Sequence, residues 1–200
     1  MSRQPFHHGN LRAVLLARAE AMLGENGLDG LSLRELARQA GVSHGAPRSH
    51  FIDRQALLDA LVERGFARLT EDVRSALSGR ESLRIRFGRV AQAYVDFAIQ
   101  DAALMELMFT ARTSRSPGPE GDAAERLFQV LDDAMGPPAK GDIDGGSRAT
   151  FKLLFGATMQ GIAALVASRL ITREQGEVLV EEAMDVLLES RLGTRAVTRR

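Results

Sequence analysis

The stretch LSLRELARQAGVSHGAPRSHF, residues 31–51, decides how the first part of this chain folds. Ser32 and Glu35 have the spacing of an S-x-x-E capping box, which starts a helix by satisfying its first free amide groups. Gly41 ends that helix, because glycine tolerates the left-handed backbone found at helix C-termini. Ser43 is then placed to cap a second short helix. Helix, glycine turn and helix at this length predict a helix-turn-helix, whose second helix reads bases in the major groove of DNA.

This segment and its flanks resemble the N-terminal domain of the TetR family of bacterial transcriptional regulators. The family pattern runs T-x-x-x-I-A-x-x-A-G-V-S-x-G-x-x-Y-x-H-F, followed by x-x-K-x-x-L. The residues at these positions are Ser32, Leu36, Ala37, Ala40, Gly41, Val42, Ser43, Gly45, His50 and Phe51, then Arg54 and Leu57. Two positions depart from the pattern, because Arg48 replaces the usual Tyr and Pro47 stands where many members carry Leu.

The chain as a whole is predicted to be all-α, because apolar residues recur at helical spacing and strand-like alternation is nearly absent. The resemblance implies an N-terminal three-helix DNA-binding domain over residues 7–66, with its helix-turn-helix at about 32–51. It further implies a C-terminal helical domain for ligand binding and dimerisation over residues 67–192. About nine helices are expected in all.

Loops and the last helices can be placed from breaker residues and periodicity. Ser114–Asp122 and Gly136–Ser147 are predicted loops, since both are rich in Gly, Pro and Asp. Two final helices are predicted at about Arg148–Leu170 and Glu174–Leu192. Thr172 and Gln175 form a second capping box before the last one.

The charge of the chain is uneven although its net value is zero. Residues 1–54 hold seven Arg against five acidic residues, and they hold all four His of the chain. Global neutrality therefore does not exclude DNA binding. The chain has no run of about 18 uncharged apolar residues, so no membrane helix is predicted. No secretory signal is visible either. With no Cys present, these features suit a cytoplasmic protein that is associated with the nucleoid when bound to DNA.

The candidate DNA contacts are polar or small residues in and around the helix-turn-helix. Helix N-terminal amides and Ser hydroxyls suit phosphate oxygens, and Arg is the commonest reader of guanine. The candidates are Ser32, Arg34, Ser43, His44, Gly45, Ala46, Arg48, Ser49, His50 and Arg54. His7 and His8 could extend this surface as an arm, or they belong to a disordered tail.

Two of these positions, and Pro47 among them in the sequence, leave alternatives open. Pro47 disfavours a helix interior, so the second helix starts late or its first turn is distorted. Arg48 either contacts a phosphate or base, or it points to solvent; we favour a contact. Arg54 follows a helix-capping Asp53, and the resemblance implies a phosphate contact there, whereas the simpler alternative is a solvated surface arginine.

The second half of the chain raises the question of a ligand. Met and aromatic residues fall on the inward faces of several predicted helices, which suits a pocket for an apolar small molecule. The candidates are Tyr94, Phe97, Met105, Met108, Phe109, Phe128, Phe155, Met159 and Gln160. For each of these residues taken alone, a place in the hydrophobic core is the stronger alternative to a ligand contact. The resemblance nevertheless implies an effector pocket in this domain. The domain is also similar to the WHG subgroup, although Gln160 and Gly161 stand where His and Gly are expected and the Trp is missing.

The last two predicted helices carry broad faces of small and apolar residues, including Gly161, Ala164, Val178 and Val186. Small residues let helices approach closely, so these faces predict a homodimer built as a four-helix interface. Two reading helices about one DNA turn apart would then fit a palindromic operator.

Catalytic, metal and cofactor sites are not predicted. The chain has no Cys and no His outside its first 50 residues, and no Ser-His-Asp spacing or phosphate-binding glycine loop is present. The helix-turn-helix therefore predicts a DNA-binding regulator, and the resemblance implies a repressor released by a small, largely apolar ligand. The alternatives are a helical binding or scaffolding protein with a degenerate DNA-binding end and, more remotely, a helical enzyme.

Overall fold

The computed structural model describes residues 11–113, 119–137 and 146–197, and within them it contains nine α-helices, one short 3₁₀ helix and no strand. The all-α prediction is therefore confirmed. The helices are α1 (Leu11–Asn26), α2 (Leu33–Gln39), α3 (Arg54–Ala76), α4 (Leu83–Gln100), α5 (Ala102–Thr113), α6 (Pro119–Met135), α7 (Gly146–Ala167), α8 (Arg173–Glu189) and α9 (Arg191–Ala196). The 3₁₀ helix, here called the reading turn, is Ala46–Ser49.

The chain divides into two compact units, each described by itself. The first unit draws on residues 1–65 and 103–120, and the second on residues 66–102 and 121–200. The first unit thus adds α5 to the N-terminal helices. The domain boundaries 7–66 and 67–192 stay a prediction, and His7 and His8 lie outside the described residues.

The core of the first unit follows the helical periodicity of its sequence. The α1 residues Leu15, Ala19 and Met22 are fully buried on one face, as an amphipathic helix requires. In α3, Gly65 is buried where α5 comes close, since a Cβ atom built on it would lie 2.5 Å from Met108 Sδ. The absence of a side chain at Gly65 is what lets α3 and α5 approach this closely.

The core of the second unit is built around aromatic rings. The ring centroid of Phe87 on α4 lies 6.3 Å from that of Phe151 and 5.9 Å from that of Phe155, both on α7. These separations are typical of tilted and edge-to-face aromatic pairs, which stabilise a core beyond their buried area. Helix α4 also packs on α8, and α7 packs on α8 and α9.

Two predicted boundaries in the second half are wrong, each for a local reason. Helix α6 begins at Pro119, inside the predicted loop Ser114–Asp122, because proline is well suited to the first turn of a helix. The predicted final helix is broken at Ser190, whose hydroxyl accepts from the amide of Gly193 at 2.9 Å and so starts α9. Residues 114–118 of that loop lie outside the described residues.

The second capping box is confirmed. The Gln175 amide N–H donates to Thr172 Oγ1 at 3.2 Å, and the Thr172 amide N–H donates to Gln175 Oε1 at 2.8 Å. This reciprocal pair fixes the start of α8. Residues 138–145 of the predicted loop before α7 lie outside the described residues.

The sequence predicted no membrane-spanning helix, and this expectation needs one correction. By length and composition alone, α7 is long and apolar enough to cross a membrane. Its best 18-residue window has a mean hydropathy of 1.4 and is 28% buried within the protein. Two polar side chains of α7 nevertheless have partners in the second unit. Lys152 Nζ contacts Asp132 Oδ2 at 2.6 Å, and Gln160 Oε1 accepts from the Tyr94 hydroxyl at 3.1 Å. These contacts are those of a helix packed within a helical domain.

Candidate nucleic-acid interface

Helix α2 starts at Ser32, but the predicted capping box is only half formed. The Glu35 amide N–H donates to Ser32 Oγ at 3.1 Å. The Glu35 carboxylate turns away from Ser32 and accepts from Arg38 Nε at 2.8 Å and from Gln39 Nε2 at 2.7 Å. These hydrogen bonds lower the pKa of Glu35 to about 2. The reciprocal bond is therefore absent, because Glu35 has stronger donors on its own helix.

The turn after α2 confirms the predicted role of Gly41. Its φ of 66° lies in the left-handed region, where glycine carries no steric penalty. The Val42 amide donates to the Ala37 carbonyl oxygen at 3.1 Å, which closes the C-terminus of α2. This tight closure sets where the reading turn begins.

The second half of the motif is not the α-helix capped by Ser43 that the sequence predicted. The reading turn is a four-residue 3₁₀ helix whose N-cap is Gly45, with no side-chain capping bond. The Arg48 amide donates to the Gly45 carbonyl oxygen at 3.1 Å, a three-residue spacing. Pro47 lies in the first turn, and its ring and missing N–H exclude a longer helix that begins at Ser43. Of the two alternatives for Pro47, a late start is the one observed.

Two buried residues anchor the reading turn. Pro47 is buried, and Phe51 is only 1% exposed. The guanidinium carbon of Arg12 on α1 lies 5.3 Å from the centroid of the Phe51 ring, within the range of a cation–π contact. The turn is thereby fixed against the core of the first unit.

Most of the predicted DNA contacts lie on one short, exposed stretch of this unit. Six of them are exposed between α2 and α3, and Ala46 is half-buried among them. The exposed six are Ser43, His44, Gly45, Arg48, Ser49 and His50. Ser49 Oγ donates to the Ala46 carbonyl oxygen at 2.7 Å, whereas the Arg48 side chain makes no hydrogen bond or ion pair within the described residues. Arg48 is thus free to meet a partner.

Arg34 and Ser32, at the start of α2, are placed differently. Arg34 is exposed, whereas Ser32 is half-buried and its hydroxyl caps the helix. A serine that accepts a helix amide retains its O–H donor for a phosphate. The geometry therefore leaves both residues able to contact a DNA backbone.

Arg54 has a structural role that the sequence did not reveal. Its Nε donates to the Leu31 carbonyl oxygen at 2.8 Å, and its Nη2 donates to the Leu28 carbonyl oxygen at 2.5 Å. Arg54 thus ties the loop between α1 and α2 to the start of α3, where Asp53 Oδ1 accepts from the Ala56 amide at 2.8 Å. The two bonds of Arg54 join residues more than 20 positions apart, so no local pattern could indicate them. The predicted phosphate contact at Arg54 stays a prediction.

The predicted ligand residues fall into both units. Met105, Met108 and Phe109 on α5 belong to the first unit, where the two methionines are buried and Phe109 is 41% exposed. The others belong to the second unit: Tyr94, Phe97, Phe128, Phe155, Met159 and Gln160. They stay a prediction as a binding site.

Several of these second-unit residues already have partners within the protein. The Tyr94 hydroxyl donates to Gln160. Arg68 lies over the Phe97 ring at 5.3 Å, and Lys152 lies over the Phe128 ring at 5.3 Å. Phe155 and Met159 are almost fully buried.

Several exposed apolar residues lie on α7 and α8. The sequence indicated Val178 and Val186, which are 60% and 68% exposed. Sequence reasoning missed the leucines of the same helices, Leu153, Leu154, Leu165 and Leu179, all of them exposed. We call these six residues the α7–α8 apolar surface. Their exposure was not visible in the sequence, because a leucine at helical spacing is usually buried.

Metal-binding chemistry finds no support in residues 11–113, 119–137 and 146–197. No group of three or more His, Cys, Asp or Glu there is arranged to hold an ion.

Comparisons with known proteins place this geometry in a recognised context. A model of bacterial regulatory proteins of the tetR family matches residues 15–61, and a model of the tetracyclin repressor-like C-terminal domain matches residues 87–187. The class A tetracycline repressor protein from transposon 1721 of Escherichia coli is 31% identical over an alignment of 154 positions, which covers 68% of this chain and 70% of that protein.

Solved structures are similar in fold. A protein of unknown function from Rhodococcus sp. RHA1 is similar with a TM-score of 0.78 and 41% identity, over 92% of this chain and 97% of that one. A TetR-family transcriptional regulator from Streptomyces coelicolor has a TM-score of 0.65 at 22% identity, over 88% of this chain and 96% of the other. The second likeness concerns the fold alone.

Proposed function

The chain belongs to the TetR family of bacterial transcriptional regulators, and from that premise we propose that it is a repressor which binds a palindromic operator as a homodimer and is released by a small ligand. That it is a regulator with a DNA-binding helix-turn-helix follows from the family. The mode of DNA reading, the dimer and the ligand are our proposals.

The single observation that carries the DNA-binding mode is the exposed, anchored reading turn. Its backbone is fixed by Pro47 and Phe51, while Arg48 extends from it with no partner in the described residues. A guanidinium group offers a planar fork of donors that suits either a phosphate or the major-groove edge of guanine. A fixed backbone lowers the cost of placing that fork on DNA. Arg48 is therefore the principal contact in this proposal.

Homodimerisation is proposed through the α7–α8 apolar surface. Val178, Val186 and Leu153 are each at least 60% exposed, and monomeric proteins rarely leave large apolar patches uncovered. A second copy of the chain would cover them by a two-fold, self-complementary contact. The same symmetry accounts for a palindromic operator, because each copy presents one reading turn.

Release by a ligand is proposed from the apolar interior of the second unit. A small, largely apolar molecule would lie among residues such as Phe97, Phe155 and Met159. It would favour a conformation whose two reading turns no longer fit adjacent grooves. Such a switch requires a difference in ligand affinity between the two states of about 1–3 kcal/mol. We expect no catalytic activity and a cytoplasmic location.

DNA fragments from the neighbourhood of the gene test this function directly. In a gel-shift and footprinting experiment, the purified chain should protect two half-sites centred about 34–36 Å apart along the DNA. Arg48→Ala should weaken the shift. Arg126→Ala, an exposed arginine on α6 in the second unit, is the matched control and should not. A wild-type chain that shifts none of these fragments would support the scaffolding alternative instead.

A further inference from the structure

A crevice in the second unit has no role in the proposed function. It has a volume of about 460 Å³, and it is lined by residues 80–83 and 86 at the start of α4 and by residues 133–137 at the end of α6. Small-molecule sites fall in the range of about 300–1,000 Å³. None of the predicted apolar ligand residues lines this crevice, so it is a separate feature.

Arg86 is the unusual group on the wall of this crevice. Its side chain is partly buried, its Nε is buried without a hydrogen-bond partner, and it makes no ion pair in the described part of the chain. The neighbouring arginines of α4 are paired, since Arg84 binds Asp185 and Arg89 binds Glu81. A buried N–H group without a partner is costly. Arg86 Nε therefore lacks the hydrogen-bonding partner that the guanidinium groups of its neighbours have.

The carboxylates on the crevice wall are hydrogen-bonded to other groups. Both oxygens of Glu81 accept from Arg89 at 3.2 Å. The pKa of Glu81 is lowered first by a hydrogen bond with its own backbone N–H, then by Arg89, and also by the nearby charge of Arg86, which makes no hydrogen bond to this carboxylate. Asp133 Oδ1 accepts from Gln129 at 2.9 Å. Arg80, also on the wall, makes no hydrogen bond or ion pair within the described residues. Two guanidinium groups without a hydrogen bond or close ion pair in the described residues thus line one crevice.

Apolar groups complete the wall. Met135 is 2% exposed at the end of α6, and Leu83 begins α4. The side chain of Ser82 caps α4 by accepting from the Ile85 amide at 3.4 Å. The positive end of the α4 dipole thus adds to the charge of the two arginines. A ligand that matches this wall has an anionic head group and an apolar body.

We propose that this crevice binds a small organic anion, whose carboxylate or phosphate group is held by Arg86 and Arg80 and whose apolar part packs against the half-buried Leu83. Arginine binds either head group through two parallel N–H···O bonds. The site goes beyond the proposed function, because it is separate from the predicted apolar ligand residues and its occupation can be measured without DNA.

Calorimetric titration of the full chain tests this site at constant ionic strength. The probes are octanoate, octyl phosphate and the neutral octan-1-ol. One or both anions should bind saturably with one site per chain, and octan-1-ol should bind at least about 10-fold more weakly. The two anions distinguish a carboxylate site from a phosphate site. If neither anion binds, or if octan-1-ol binds as tightly as they do, the proposal is overturned.

Variants locate the site. Arg86→Gln should weaken anion binding by about 10-fold or more, whereas Arg84→Gln, a matched change outside the crevice, should leave it unaltered. A second measurement uses thermal unfolding of Arg86→Met, which keeps the apolar stem and removes the charge. The anion should raise the Tm of the wild type and not that of this variant. An equal rise in both proteins would contradict the assignment.

Discussion

The amide N–H of Phe51 donates to the carbonyl oxygen of Pro47 at 2.8 Å, and both side chains are buried. Arg48 lies between them in sequence and is exposed. Proline holds φ near −65° and cannot donate a hydrogen bond. The arrangement therefore replaces a longer recognition helix with a short, fixed turn that presents one arginine.

Replacing Pro47 by alanine should destabilise the protein by about 1–2 kcal/mol. The variant loses buried apolar surface, and its unfolded chain gains conformational freedom. Urea unfolding measures this change. Ile52→Ala is the matched control, because Ile52 is 83% exposed beside the same turn and its truncation should change stability by less than about 0.5 kcal/mol. Equal stability of Pro47→Ala and wild type would show that the buried ring does not anchor the turn.

Removing the Arg54 side chain should loosen the loop between α1 and α2. Arg54→Ala loses the two hydrogen bonds to the carbonyl oxygens of Leu28 and Leu31. We expect the free energy of unfolding to fall by only about 1–2 kcal/mol, because the Arg54 side chain is exposed. Arg54→Lys should recover only part of it, since an ammonium group lacks the planar fork. Urea unfolding of both variants, with Gln55→Ala as control, checks this. A lysine variant as stable as the wild type would contradict the role of the fork.

The Glu35 carboxylate should make stability depend on pH on the acid side. Its pKa in the folded protein is about 2, below the ordinary value of 4.5, mainly because of its hydrogen bond with Arg38. A depressed pKa gives stability that is present above pH 4.5 and lost as the pH falls towards 2. Glu35→Gln should therefore be less stable than wild type at pH 7, and the difference should shrink as the pH falls through this range.

Urea unfolding at a series of pH values measures that difference. Glu63→Gln is the control, because Glu63 is exposed and makes no ion pair in the described residues. A difference between Glu35→Gln and wild type that stays constant from pH 7 to pH 2 would show that Arg38 and Gln39 do not hold this carboxylate.

A charge on the α7–α8 apolar surface should disrupt the proposed dimer. Val186→Glu places a carboxylate where a second copy would pack, and an unpaired charge in an apolar contact is strongly unfavourable. Sedimentation equilibrium should then give the mass of one chain, and operator affinity should fall. Ile85→Glu, at a residue 49% exposed on α4, is the control and should leave the dimer intact. A Val186→Glu variant that remains dimeric places the interface elsewhere.

Local signals allowed much of the fold to be predicted from the sequence. The Gly41 turn and the Thr172 capping box depend on residues a few positions apart, and the structure has both. Pro47 pointed to a late start or a distorted first turn of the second helix for the same reason, and the structure has the late start. The start of α9 was missed although Ser190 is a capping residue, because the apolar spacing continues through it.

Long-range contacts could not be predicted in this way. Arg54 resembles a surface residue in the sequence, yet its partners belong to the loop between α1 and α2. The sequence could not indicate that Arg86 Nε is buried without a hydrogen-bond partner, because this depends on how α4 and α6 pack around one crevice. The predicted ligand residues separate into two units because α5 joins the first one, which helical periodicity does not indicate.

The most direct test of the central claim is the salt dependence of operator binding for wild type and Arg48→Ala. Fluorescence anisotropy on the footprinted palindrome and on a scrambled duplex gives both affinity and specificity. We predict that wild-type affinity falls steeply with salt. Arg48→Ala should bind more weakly by about 1–3 kcal/mol per half-site, or its salt slope should be smaller by about 1 for each phosphate that it no longer binds. Identical affinity, specificity and salt slope in the two proteins would contradict DNA reading through Arg48.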